Sequence, residues 1–421
     1  MSKKFFKSSV FSFFVFCRNL SSFNFYNESL FSDSVILKNI ENNEILVEKN
    51  IDKKRSPASL TKIMTFIIVS ENVLNLQFTK IKVKKELIKI FDGTNSTVAG
   101  LKEDDNLSVL DLLYGMLLPS GNDVAMVLAD YVVSLNNSNK LQIEEMNKGF
   151  SKLMNKKASD LKCENTHFAN PHGLYDKENY STALDILKIS EYALSLPYFK
   201  EIINTPKIDI FKDGRKALVN TNKLVNPNDP EYYCPYIKGI KTGTLIESGK
   251  CLSTYAINDN LSYLCVILGA PINPEKNLAM LETTKLYNFV FNNLKNQDIL
   301  LEQEPLKEIK LKAAWKKDSL LVYPEKNANI MLPKNFNKED LKLDFYLPKK
   351  IVAPVKMNQR IGSIRVSYKN EFISEVNLIS REKINFSLIF SLLDLIFSNL
   401  ILTILIILLV FIVVLKIFKH I

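Results

Sequence analysis

Histidine is scarce in this chain: three occur in 421 residues, His167, His172 and His420. A zinc centre or a Ser-His-Asp triad has little material to draw on, so a nucleophile here takes its base from another residue type. The five cysteines (Cys17, Cys163, Cys234, Cys251, Cys265) make no CxxC pair and no metal-ligand spacing. They read as small buried hydrophobes. A formal charge of +10 comes without a nucleic-acid recognition motif, its lysines being scattered. Nucleic acid is therefore not the expected partner; an anionic membrane or wall polymer suits the charge better.

With 47% hydrophobic and 24% charged residues, the composition is that of a globular protein with one strongly apolar end. The length allows two or three domains. At the N-terminus, Lys3, Lys4 and Lys7 precede an apolar run from Val10 to Cys17, so residues 1–25 read as an export leader, with an organelle transit segment as the alternative, although no A-x-A-like cleavage site follows. At the other end, 395–415 carries no charge and is Ile, Leu, Val or Phe except at Ser398, Asn399 and Thr403. This predicts a bilayer-spanning helix. Lys416 and Lys419 behind it suit the cytoplasmic side, which places everything before Asp394 outside the cytoplasm.

Between these ends, Ser34 to Lys49 predicts a hairpin turning at Glu41–Glu44. A helix follows, from Leu60 to Leu74, and Ser59 and Lys62 lie three residues apart at its start, one above the other on a helix face. That is a suitable address for a serine nucleophile with a lysine base. Ser159/Lys162 and Ser380/Lys383 repeat the spacing and read as coincidence. Ser108 and Asp111 predict a capping box for a helix that stops before Pro119; Ser120-Gly-Asn122 then forms a loop, and Asp123 is placed to cap a second helix. Asn170-Pro-His-Gly173 is a dense loop in which His172 reads as a structural residue bonded to backbone, ahead of a helix over Ala183–Leu194.

Lys241-Thr242-Gly243 occurs once, on an exposed edge strand where glycine admits a close approach. Strands over Cys251–Ala256 and Ser262–Leu268 follow, then a helix over Thr283–Leu294. From Glu308 to Leu378 short strands alternate with turns, predicting a separate small β domain.

Ser-x-x-Lys, Ser-x-Asn and Lys-Thr-Gly in this order, at steps of roughly 60 and 120 residues, are jointly far more specific than any one of them. Pro57-Ala-Ser-Leu-Thr-Lys62, Leu117-Leu-Pro-Ser-Gly-Asn-Asp123, Thr166-His-Phe-Ala-Asn-Pro-His-Gly-Leu174 and Gly239-Ile-Lys-Thr-Gly243 closely resemble the low-molecular-weight D-alanyl-D-alanine carboxypeptidases, penicillin-binding serine peptidases. The resemblance covers about residues 30 to 380. It implies an α+β fold of the β-lactamase/penicillin-binding type, with an antiparallel sheet flanked by helices and an all-α lobe over residues 30–296. A small β domain over 305–380 and a transmembrane anchor over 395–415 complete the expected plan.

The resemblance also implies acyl transfer at the D-Ala-D-Ala end of peptidoglycan stem peptides, with β-lactams as inhibitors and no metal or cofactor. Ser59 would attack and Lys62 would act as its base; Ser120 would relay a proton to the leaving D-alanine and Asn122 would hold the substrate amide. Lys241 would keep the lysine base neutral and, with Thr242, take the substrate carboxylate, while the N–H groups of Ser59 and Thr244 would form the oxyanion hole. Two departures stand out: Thr244 occupies a position where many relatives have histidine, and Ser248-Gly-Lys250 replaces a more common Ala-Gly-aromatic run. A β-lactamase is a rival, but the single Glu-x-x-Leu-Asn match, Glu71 to Asn75, precedes Ser120. Glu191 also invites that reading but falls within the predicted helix. A DD-endopeptidase and an inactive wall-binding protein are rivals too.

Overall fold

The computed structural model describes residues 30–135, 142–258, 261–398 and 400–418; the leader expected over 1–25 lies outside them. The chain divides into two units, Phe23–Asn293 and the part from Leu294 onward.

In the first unit, β1 (Ser34–Asn39) and β2 (Ile45–Lys49) pair antiparallel as the expected hairpin. A 3₁₀ turn over Ala58–Leu60 leads into α1 (Thr61–Asn72), whose residues from Thr61 to Val69 are all buried. β3 (Lys80–Lys82), α2 (Lys85–Lys89) and β4 (Asn106–Ser108) precede α3 (Val109–Leu117). The Ser108 hydroxyl accepts from the Asp111 N–H at 3.0 Å and donates to its carboxylate at 2.6 Å, the expected cap. Then come α4 (Asn122–Ser134), α5 (Ile143–Asp160), α6 (Ala183–Ala193) and α7 (Phe199–Asn204). A minimal pair, β5 (Lys207–Ile208) with β6 (Leu218–Val219), is followed by β7 (Ile237–Leu245), β8 (Gly249–Asn258), β9 (Leu261–Ala270) and α8 (Leu278–Asn293). Helix α8 begins earlier than its apolar pattern suggests, because the Asn277 side chain accepts from the Met280 N–H at 3.3 Å.

The sheet runs β2-β1-β9-β8-β7, antiparallel throughout, with β7 at one edge. Adjacent residues of β8 show what covers its two faces, since successive side chains on a strand point opposite ways. Ser253 Oγ lies 2.9 Å from Ser190 Oγ on α6, and Thr254 Oγ1 lies 2.9 Å from the Tyr287 hydroxyl on α8. The sheet is therefore sandwiched between helices, and α1 continues the core away from it among α3, α4, α5 and α6. The four cysteines among the described residues are free and buried.

The second unit contains β10 (Leu294–Leu300), β11 (Lys307–Lys312), β12 (Ser319–Pro324), β13 (Ala328–Pro333), β14 (Leu341–Tyr346), β15 (Lys350–Val352), β16 (Arg360–Tyr368) and β17 (Glu371–Ser380). Six of them form a sheet in the order β14-β16-β17-β12-β11-β15, and β10 pairs with β13. Two helices end the unit, α9 (Leu388–Ser398) and α10 (Leu400–Phe418). Of the helix expected over 395–415, α9 ends at Ser398 and α10 starts at Leu400, and Asn399 lies outside the described residues. Of α10, side chains are described from Ile404 to Leu415, all of them exposed and apolar. Within the described residues, no helix is long and apolar enough to cross a membrane.

Candidate active site

Ser59 sits in the middle of the 3₁₀ turn rather than in the first α turn, because Ala58 before it takes a left-handed φ of +47°. Such a conformation is strained for alanine and survives only where its surroundings enforce it. They do so through Gly173, whose backbone lies against the Ala58 carbonyl with no room for a side chain. Lys62, one turn on, is fully buried, and its Nζ has three neighbours: Asn122 Oδ1 at 2.7 Å, the His172 carbonyl oxygen at 2.6 Å and Ser59 Oγ at 3.1 Å. Burial, and then the charge of Lys241, hold its pKa well below the ordinary lysine value. A neutral amine has two N–H groups and one lone pair. The two carbonyl oxygens use the N–H groups, which leaves the lone pair for the Ser59 hydroxyl.

The loop that supplies the His172 carbonyl is itself pinned. Asn170 Oδ1 accepts from the Gly173 N–H at 2.7 Å, and Thr65 Oγ1 donates to the Pro171 carbonyl at 2.6 Å. His172 is structural, as expected: its Nδ1 accepts from the Leu174 N–H at 3.1 Å, and burial lowers its pKa to about 3, so the ring is neutral.

Ser120 and Asn122 arrive from the break between α3 and α4. Ser120 has φ +69°, and its buried Oγ has no hydrogen-bond partner among the described residues. A buried hydroxyl left without a partner costs about 1–3 kcal/mol, so it marks a position that a ligand would satisfy. Asp123 corrects the expectation of a helix cap. The N-cap position belongs to Gly121, and the Asp123 carboxylate instead accepts from the N–H groups of Ala99 (2.8 Å), Gly100 (3.1 Å), Leu101 (3.2 Å) and Val124 (3.0 Å). It fastens the 99–101 loop beside the cleft. Asp123→Ala orphans these donors and is expected to lower the unfolding free energy by about 2–4 kcal/mol, measured by urea denaturation.

Lys241 departs from the exposed edge strand expected of it. β7 is indeed an edge strand, yet Lys241 is fully buried and burial lowers its pKa to about 7; its Nζ donates to the Thr242 carbonyl at 3.1 Å. The strand alternates, so Thr242 points the other way, half-buried, with its Oγ1 2.7 Å from Thr221 Oγ1. Gly243 lets β7 close on the nucleophile: a Cβ there would lie 3.1 Å from the Pro57 carbonyl oxygen and 3.2 Å from the Ser59 nitrogen.

Ser59, Ser120, Thr242, Gly243 and Thr244 line one open cleft of about 390 Å³; Lys62, Asn122 and Lys241 are buried and outside its lining, Lys62 meeting it through its contact with Ser59. Thr97, Thr221, Tyr232 and Lys250 line it too. Motif reading passes over Thr221 because its loop has neither periodicity nor regular structure; its bond to Thr242 joins residues distant in sequence. The two repeated Ser/Lys spacings lie elsewhere. Ser159 is exposed at the end of α5, and Ser380 Oγ bonds the backbone of Glu382 in the second unit. Neither glutamate of the β-lactamase reading reaches the cleft lining: Glu191 is paired with Lys38 at 2.8 Å and Glu71 with Lys157 at 2.7 Å.

A family model described as D-alanyl-D-alanine carboxypeptidase matches residues 23–272, and one described as the C-terminal domain of penicillin-binding protein 5 matches residues 300–385. The D-alanyl-D-alanine carboxypeptidase DacF of Bacillus subtilis is 26% identical over 351 residues, 83% of this chain and 85% of that protein. The D-alanyl-D-alanine carboxypeptidase of Streptomyces sp. strain K15 is 30% identical over 250 residues, 58% of this chain and 82% of that protein. Among solved structures, penicillin-binding protein 5 from Haemophilus influenzae superposes with a TM-score of 0.67 at 23% identity, covering 86% of this chain and 99% of that one. The Streptomyces K15 DD-transpeptidase gives 0.56 at 28% identity, covering 63% and 99%.

Proposed function

The chain belongs to the D-alanyl-D-alanine carboxypeptidase family, and within that serine hydrolase activity we propose that Ser59 is the residue acylated by the penultimate D-alanine of a peptidoglycan stem peptide. The observation that carries this is the three-way contact of the buried Lys62 Nζ with Asn122 Oδ1, the His172 carbonyl oxygen and Ser59 Oγ, which in the deprotonated amine leaves the lone pair for Ser59. Lys62 takes the hydroxyl proton as Oγ attacks the carbonyl carbon. The N–H groups of Ser59 and Thr244 receive the developing oxyanion. Ser120, its hydroxyl unpartnered, passes a proton to the departing D-alanine nitrogen, and Asn122 holds the substrate amide. Below about pH 7, Lys241 is charged and draws the terminal carboxylate towards Thr242. Water then releases the shortened peptide from Ser59.

D-alanine release from a pentapeptide ending in D-Ala-D-Ala tests the assignment: the full chain is expected to release it and Ser59→Ala is not. Release that survives in Ser59→Ala would sink it.

The placement of the enzyme is a second element of the proposal: the C-terminal apolar stretch anchors the chain in a membrane with the catalytic unit outside the cytoplasm. Its support is the exposed, wholly apolar stretch Ile404–Leu415 of α10.

A further inference from the structure

Three segments of the second unit meet at one end of its six-stranded sheet. Lys312 and Val352 are partners in the parallel β11–β15 ladder, Ala314 bridges Phe386, and Val355 bridges Ile384. The Ser387 N–H donates to the Ala313 carbonyl at 2.8 Å. Leu311, Ala314, Leu320, Ala353, Val355 and Ile384 form a small core beneath. Beside these buried residues stand large apolar side chains exposed to solvent: Trp315 at 59%, Met357 at 59%, Val352 at 55% and Phe386 at 49%. The apolar surface runs on into α9, where Leu388, Ile389 and Leu392 are also exposed, and the Trp315 ring meets Phe390 edge-on at 5.3 Å. Contiguous apolar surface of this kind marks an interaction site.

The charge around it names the partner. Lys316, Lys350, Lys356 and Lys383 come from the same three segments, are exposed, and have no acidic partner among the described residues. The neighbouring Lys317 and Arg381 are paired with Glu382 and Glu302. An aromatic and aliphatic patch rimmed by unpaired lysines matches the headgroup region of an anionic bilayer, where tryptophan settles and lysine meets lipid phosphate.

We infer that this end of the β unit docks on an anionic lipid surface, with Trp315 and Phe386 at headgroup level. The inference goes beyond the proposed catalysis and shares only the membrane with the anchor proposal, since docking does not require α10 to cross.

Trp315 is the only tryptophan in the chain, so its fluorescence reports on this surface directly. The full chain is mixed with vesicles of phosphatidylcholine, with or without phosphatidylglycerol, then sedimented, and Trp315 is quenched with aqueous iodide. With the anionic vesicles, quenching is expected to fall several-fold and the emission to shift to the blue. The triple variant Lys350→Glu, Lys356→Glu, Lys383→Glu is expected to undo most of that protection. A chain that sediments with Trp315 still fully open to iodide overturns docking and leaves the anchor standing. One that sediments with neither vesicle overturns both. Equal protection on uncharged vesicles, or in the triple variant, removes the anionic headgroup from the account. Protection that needs no vesicles and grows with protein concentration replaces the lipid with a second copy of the chain.

Discussion

Lys62→Arg is expected to lower the rate of acylation by about 10³-fold or more, the upper range of what a positioned base contributes. Arginine keeps the positive charge and the N–H donors that lysine offers to Asn122 Oδ1 and the His172 carbonyl. What it lacks is a neutral form with a free lone pair. The substitution therefore separates two roles for Lys62: a cation that orients Ser59 would survive it, and a base would not. Stopped-flow acylation by a chromogenic cephalosporin measures the loss, with thermal unfolding as the check that the buried site still forms.

The pH profile adds a second reading. Burial and Lys241 depress the pKa of Lys62, so acylation in the wild type rises with pH as the ammonium loses its proton, and the rise comes well below the range of an ordinary lysine. Lys241 loses its own charge around pH 7, so capture of a carboxylate-bearing substrate weakens above that point. Lys62→Arg removes the rising limb, since the guanidinium stays charged throughout.

Gly173→Ala is expected to damage activity too, about tenfold less than Lys62→Arg, without touching any group that meets the substrate. Its φ of +84° disfavours any side chain, and the new Cβ would run into the Ala58 carbonyl oxygen and come within 2.9 Å of Thr61 Oγ1. Both partners flank Ser59. The 3₁₀ turn has to move to admit the methyl group, and displacing a nucleophile by about 1 Å costs on the order of 10²-fold in rate. Left-handed strain of about 1–3 kcal/mol adds to the clash, so the melting temperature also falls. Acylation kinetics beside calorimetry distinguish a displaced turn, where both readings change, from a site indifferent to this contact, where the rate holds.

These two predictions rest on parts of the protein that differ in how far the sequence discloses them. Helix α1 is legible because apolar residues recur along it at Leu60, Ile63, Met64, Ile67 and Ile68, and Ser59 stands out from Ser159 and Ser380 through the company of Ser120, Asn122 and Lys241. The hairpin of β1 and β2 and the cap at Ser108 are legible too, each being settled by residues close together in the chain. Long-range packing is not. Alternation along β7 gives Lys241 and Thr242 opposite faces, but which face is buried depends on the rest of the fold. Asp123 has the composition and position of a cap, while its bonds to Ala99, Gly100 and Leu101 span more than twenty residues. Thr221 reaches the cleft from a loop with no pattern of its own. The strain at Ala58 leaves no sign in the sequence; it follows from the fit between Gly173 and the 3₁₀ turn.

The most direct test of the central claim is the intact mass of the full chain after brief exposure to benzylpenicillin, followed by peptide mapping. One penicilloyl group per chain, located on Ser59 and absent from Ser59→Ala, is the predicted result. An adduct on any other residue, or one of equal yield in Ser59→Ala, would contradict it.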